Sequence, residues 1–300
     1  MDLHHVLDLL KTGDAGRRLL AARELRRWNG PEAKAALAEA LGDPAREVRD
    51  AASRTLMEIG DAPTVRLIVP LLRSGTPEVR NGARQVLERL CRIEPAALLD
   101  LARDGDVRMR VFAANIMGGT GDHDFTPSLL AMLGDAEANV VEAACAALGQ
   151  LGTREAVPGL SRLAAAAEPW LRFSAIDALG RIPDPSAARA LLDLVAGADP
   201  DFLEPIVDAL GRQGSGASVI PLVGLIDAKK SLRPALLKTL LGPLAPQVAA
   251  LGRDPRLQPL ARAAAAALDR NELPSRIAST TAVLLAGIGA DLSRGGREDA

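Results

Sequence analysis

The chain has 300 residues, 48% hydrophobic and 25% charged, with a formal net charge of -2. Near-neutrality at this size leaves out the nonspecific phosphate attraction of a nucleic-acid binder, so no nucleic-acid partner is expected. Aromatic residues make up only 2% and tyrosine is absent, so Ala and Leu must do the packing, and the lack of alternating β-branched runs predicts an all-α chain.

In chain order, the start MDLHHVLDLLKTGD lacks a basic n-region and a long apolar core. That predicts no signal peptide and a cytoplasmic location. The adjacent His4 and His5 diverge on a helix and cannot form an i, i+4 metal pair. A first helix is expected through Leu10 and a second from about Asp14 to Trp28, the latter carrying Arg17, Arg18, Arg23, Arg26 and Arg27. This basic cluster reads as the solvated face of a terminal repeat. The next pair is expected from about Glu32 to Leu41 (helix A) and from about Pro44 to Ile59 (helix B).

That second pair is the template for the chain. With Val48 as anchor, equivalent positions are Arg17, Val79, Met109, Val140, Leu171, Phe202, Leu232 and Leu260, spaced 31, 31, 30, 31, 31, 31, 30 and 28 residues. Four residues on come Ala21, Ala52, Ala83, Ala113, Ala144, Ala175, Ile206, Leu236 and Ala264. After four more come Leu25, Leu56, Leu87, Met117, Leu148, Leu179, Leu210, Leu240 and Leu268. Steps of four mark one helical face, and the small middle residue lets neighbouring helices approach. Self-similarity at this period predicts a solenoid of about nine two-helix repeats. Asp43-Pro44, Thr76-Pro77, Asp199-Pro200 and Asp254-Pro255 read as an N-cap followed by a first-turn proline. Pro127, Pro158 and Pro221 are expected in the first turns of their A helices. Gly60, Gly121, Gly152 and Gly214 are expected as left-handed helix ends. Arg18, Arg49, Arg80, Arg110, Arg172 and Arg233 follow the anchors, and Asp43, Asp104, Asp135 and Asp227 sit in the preceding turns. The two sets predict a structural ladder tying one repeat's loop to the next.

The pattern of Leu41, Asp43, Val48, Arg49, Ala52, Leu56 and Gly60 resembles a HEAT repeat, of the bacterial type similar to the repeats of phycobilisome lyases. The resemblance covers roughly residues 1–270. It implies an α-solenoid wound as a right-handed superhelix with the B helices on the concave side. The excess of Arg over Lys reads as the coding bias of a GC-rich bacterial genome.

Candidate binding residues lie in the middle of the array, where Phe112, Phe125, Trp170, Phe173 and Phe202 fall. Phe202 occupies an anchor and Phe112 aligns with the small Ala51, so both are expected at or beside the core. Trp170 and Phe173 align with Glu47 and Asp50, and an apolar residue where the repeat is polar marks a partner surface. The rows expected on the concave face run Asp50, Asn81, Val111, Glu142, Phe173, Glu204 and Arg54, Gln85, Ile116, Ala146, Asp177, Asp208, Lys238. Val111, Asn115, Glu142, Trp170, Phe173, Asp177, Glu204 and Asp208 are the candidate partner-binding set. Helices about 8–10 Å apart and a strand rise of roughly 3.3 Å per residue let one repeat read about three residues of an extended segment. The acids Glu142, Asp177, Glu204 and Asp208 suit apolar anchors flanked by Lys or Arg.

After Leu268 the pattern fails. The uncharged run from Ile277 to Ala290 is shorter than the about 20 apolar residues that span a bilayer. It is expected to form a capping helix over 271–292, with Ile277, Thr281, Leu284, Leu285, Ile288 and Leu292 on one face and a disordered tail at 293–300. Cys91 and Cys145 lie in different units without a CxxC pairing and read as buried free thiols. Di-iron hydroxylases of this architecture rely on His-Glu pairs, and this chain has none. The acidic groove also opposes the DNA that similar alkylpurine glycosylases bind. No phosphate loop, GxSxG or Cys-His pairing appears. The sequence therefore predicts no catalytic residues, no metal, no cofactor and no membrane span. It points to a non-catalytic scaffold or adaptor for a protein or peptide, with a lyase-like or chaperone role towards a bilin or tetrapyrrole as the alternative.

Overall fold

A computed structural model describes residues 2–166 and 168–288, all without strands. Two compact units divide within a helix, after Ala147. The first holds α1 (Leu3–Thr12), α2 (Ala15–Glu24), α3 (Pro31–Glu39), α4 (Arg46–Ile59), α5 (Ala62–Ile68), α6 (Pro77–Leu90), α7 (Pro95–Leu101), α8 (Val107–Gly119), α9 (Thr126–Met132) and most of α10 (Ala138–Leu151). The second holds α11 (Val157–Ala166), α12 (Pro169–Arg181), α13 (Pro185–Gly197), α14 (Pro200–Gln213), α15 (Val219–Ala228), α16 (Arg233–Leu241), α17 (Ala245–Ala250), α18 (Gln258–Asp269) and α19 (Ser275–Ile288). Odd and even helices pair as the A and B arms of nine hairpins among the described residues, and the fold is an all-α solenoid. The expected 293–300 tail and the end of the 271–292 helix lie outside the described residues.

The repeat frame becomes the core. Every middle residue of the pattern is buried, from Ala21 to Ala264, and every third-row residue is buried except Leu268, which is half-buried. Because the middle residues are small, B helices stack directly: α2 on α4, α4 on α6, α12 on α14 and α14 on α16. The second unit carries this furthest. A Cβ on Gly149 would lie 2.9 Å from the Cα of Ala178, and one on Gly180 would lie 2.9 Å from the Cα of Ala209. These glycines stand one residue after the third-row leucines, where the backbones touch.

Helix starts depart from expectation in an instructive way. Asp43 is not an N-cap: Ala45 holds that position, and Asp43 instead accepts from the Ala45 amide at 2.8 Å. Thr76 and Asp199 hold cap positions before Pro77 and Pro200, but neither side chain makes a capping bond. Asp254 caps the short turn ahead of α18 rather than the helix itself, accepting from the Arg256 amide at 2.9 Å. True side-chain caps come from Asp2, Asp14, Asp61, Asp106 and Asp184. Gly121, Gly152 and Gly214 are left-handed, whereas Gly60 has φ of -70° and leaves its helix in extended backbone.

The ladder works with two hands. Arg18, Arg49, Arg80, Arg110 and Arg172 are each the fourth residue of their B helix. Four donate back to a carbonyl of their own A–B loop, Gly13, Asp43, Ser74 and Asp104, and Arg172 to Ala164 in the last turn of α11, at 2.7–3.1 Å. Three also reach forward to the next repeat, Arg18 to Asp43, Arg110 to Asp135 and Arg172 to Asp199, each at 2.7–2.8 Å. Asp104 departs from the expected register by pairing with Arg73. A second tie joins buried Lys34 to Asp61 at 2.8 Å.

The last described helix, α19, packs on α16, α17 and α18. Thr281, Leu284 and Leu285 are buried there, while Val283 is 74% exposed. No described helix is long and apolar enough to cross a membrane.

Candidate functional site

In the first unit, α8 and α10 flank an open groove of about 640 Å³. Val111, Phe112, Asn115 and Glu142 line it together with Arg80 and Arg108. Val111 and Phe112 are half-buried, and Asn115 and Glu142 are exposed. The row assignment of Ile116 is corrected: it is fully buried, because the repeat before it is 30 residues long and the outward position falls on Asn115. Phe112 was placed beside the core by its alignment with Ala51, and it does supply an aromatic wall to the groove.

In the second unit, Trp170, Phe173 and Asp177 follow one another at steps of three and four along α12, so they share a face. Trp170 is 40% exposed and Phe173 42%. Phe202, buried on α14, stacks against Phe173 with ring centroids 4.6 Å apart and carries the Arg172 guanidinium 3.8 Å from its centre. Arg172 is held in turn by Asp199 and the Ala164 carbonyl, so Phe173 stands on a rigid base. Glu204 is exposed and Asp208 half-buried on α14, four residues apart.

The acidity is smaller than the acids alone suggest. Asp177 is clamped by Arg181 and Arg212, each at 2.9 Å. Asp208 lies 3.9 Å from the Lys238 ammonium. Lys238 was on the expected concave row, but the sequence reading missed Arg181 and Arg212; the i, i+4 spacing of Arg181 was a legible signal, whereas Arg212 comes from the next repeat. Three candidate residues thus gather in the first unit and five in the second.

Catalytic equipment is sparse. Among the described residues no three His, Cys, Asp or Glu side chains converge as a metal site. Burial pushes the Cys91 thiol to about 11 and the Cys145 thiol to about 12, so both stay protonated and poor nucleophiles at neutral pH.

The model of HEAT repeats matches residues 3–88 and 95–172. The chain belongs to the HEAT-repeat family. A PBS lyase HEAT-like repeat matches residues 171–197 as well, a stretch of this HEAT array without a histidine or cysteine. No curated protein matches the sequence. Among solved structures, the chain is similar to importin beta at 13% identity and a TM-score of 0.53, covering 95% of this chain and 46% of that one. It is also similar to the Kap95:Nup1 complex, at 15% identity and a TM-score of 0.57, covering 97% of this chain and 47% of that one. The chain therefore spans about half the length of these structures, and at such identity the likeness concerns the fold.

Proposed function

We propose that this HEAT array is a non-catalytic scaffold or adaptor that holds a protein or peptide segment on its B-helix faces. The observation carrying this reading is the exposed pair Trp170 and Phe173 on α12. In a chain so poor in aromatic residues, two large rings left in water at repeat positions that are polar in several units lose apolar burial unless something covers them. Their base is fixed by Phe202 and Arg172, so little ordering entropy is lost on binding. An apolar partner side chain fits against the two rings, with Glu204 beside them for a Lys or Arg. The groove lined by Val111, Asn115 and Glu142 offers a second seat on the first unit.

One of the similar structures is a complex of Kap95 with Nup1, which supports protein binding as a use of this architecture. The bilin alternative draws only on the repeat match at 171–197, and that match speaks to repeat packing. The test is capture of interacting proteins from the native cell by the full chain and by a Trp170→Ala, Phe173→Ala variant. The variant is expected to keep its helicity and lose the captured partner by about tenfold or more, the scale of a paired hot spot. Equal capture by a folded variant contradicts the proposal.

A further inference from the structure

Of the six ladder arginines, Arg233 is the exception. Its five counterparts occupy the fourth position of a B helix and donate to a carbonyl of the preceding loop or helix end, but Arg233 is the first residue of α16. The short turn at Lys230–Leu232 runs straight into that helix, so Arg233 has no loop of its own wrapped behind it. Its Nε is buried with no hydrogen-bond partner. Its only ion pair among the described residues is a long one, 3.7 Å to Asp227, and Arg262 shares that carboxylate at 3.3 Å. The side chain as a whole is 38% exposed, so the terminal nitrogens of the guanidinium remain open to an acceptor.

Arg233 lines a cavity of about 520 Å³ within the second unit, between α16, α18 and the segment leading into α19. Lys230, Lys238 and Arg270 also line it, against Glu204 and Glu272. Arg233, Lys238 and Arg270 have only long carboxylate pairs, with Asp227, Asp208 and Glu272 at 3.7–3.9 Å, and exposed Lys230 makes no ion pair among the described residues. Three of the five lysines in the sequence fall between residues 229 and 238. The floor is apolar and made of small groups, Ala235, Ala263, Ala266 and Ala267 with Leu237. An apolar cleft of this volume with a few convergent polar groups has the proportions of a small-molecule site.

We propose that this cavity binds a small organic anion, a carboxylate or phosphate head held by Arg233 and Lys230 with an apolar body on the alanine floor. The guanidinium supplies the fork that matches a two-oxygen head. The site shares Glu204 with the partner-binding set but none of the aromatic residues of α12.

Isothermal titration calorimetry on the full chain tests this with three probes: octanoate, octyltrimethylammonium and inorganic phosphate. Octanoate is expected to bind once per chain, phosphate more weakly and octyltrimethylammonium not at all. Arg233→Gln should weaken octanoate about tenfold or more, the scale of a charge-assisted hydrogen bond lost. Should Arg233→Gln fail to fold, Lys230→Gln at an exposed side chain and Ala266→Phe, which fills the cavity, carry the test, each weakening octanoate. Absent octanoate binding, equal affinity in the folded variants, or equal binding of octyltrimethylammonium overturns the proposal.

Discussion

At the scale of single residues, Lys34 shows how one contact can decide a junction. Its ammonium is almost wholly removed from water and meets Asp61, whose carboxyl is held down to about 2 by that hydrogen bond first and by those from Thr64. A carboxyl depressed in the folded state contributes stability that is present above its unfolded value of 3.8 and lost as pH falls towards about 2. Asp61→Asn should therefore melt below the wild type at neutral pH, with Lys34 left buried and unpaired. The gap should close as melts are repeated through that acid window; a gap independent of pH contradicts the assignment. The seam glycines give a second residue-scale test. Gly180→Ala forces a methyl to 2.8 Å from the Ala209 Cβ and should cost about 1–3 kcal/mol in denaturant melts. Gly224, mid-helix in α15 with open space around it, should gain about 0.5–1 kcal/mol on substitution by Ala. Equal effects at the two positions would mean that the close stacking of α12 on α14 is unimportant.

At the scale of elements, the ladder is what joins one hairpin to the next. Arg110 and Asp135 are 15% and 14% exposed, so they are poorly screened, and each also binds backbone. A double-mutant cycle with Arg110→Met and Asp135→Asn should return a coupling of roughly 1–3 kcal/mol. The solvated Arg46 and Asp50 pair, with side chains 81% and 51% exposed, should return about 0.3–0.5 kcal/mol. Comparable couplings would contradict a structural role for the ladder. This level was partly legible in the sequence. The recurrence of arginine one position after the anchor is visible because period and helical face are both encoded in side-chain type. Which oxygen each arginine binds was not, since that depends on loop length: Asp43 is drawn to Arg18 and away from its expected cap. Gly60 shows the same limit, because a glycine after a helix permits a left-handed turn without requiring one.

At the scale of the whole molecule, the fold was readable because a repeat writes its core many times over. Each of the nine middle positions names the same contact, and single departures such as Phe202 or Ile206 do not disturb the pattern. The proposed binding surface is written only once, so it had to be inferred from violations of the repeat. Trp170 and Phe173 stood out that way; the groove wall at Phe112 and the clamp on Asp177 did not, because they arise from neighbours in space. The special position of Arg233 is likewise invisible until the start of α16 is known. The proposed function requires a partner docked on the α12 face. The most direct measurement places the photocrosslinker p-benzoylphenylalanine at Phe173, and in a parallel chain at the exposed Arg189 on the A helix α13, in extract from the native cell. Adducts to one protein from the Phe173 position, and few from Arg189, are the predicted result; equal labelling from both positions, or none from Phe173, would contradict it.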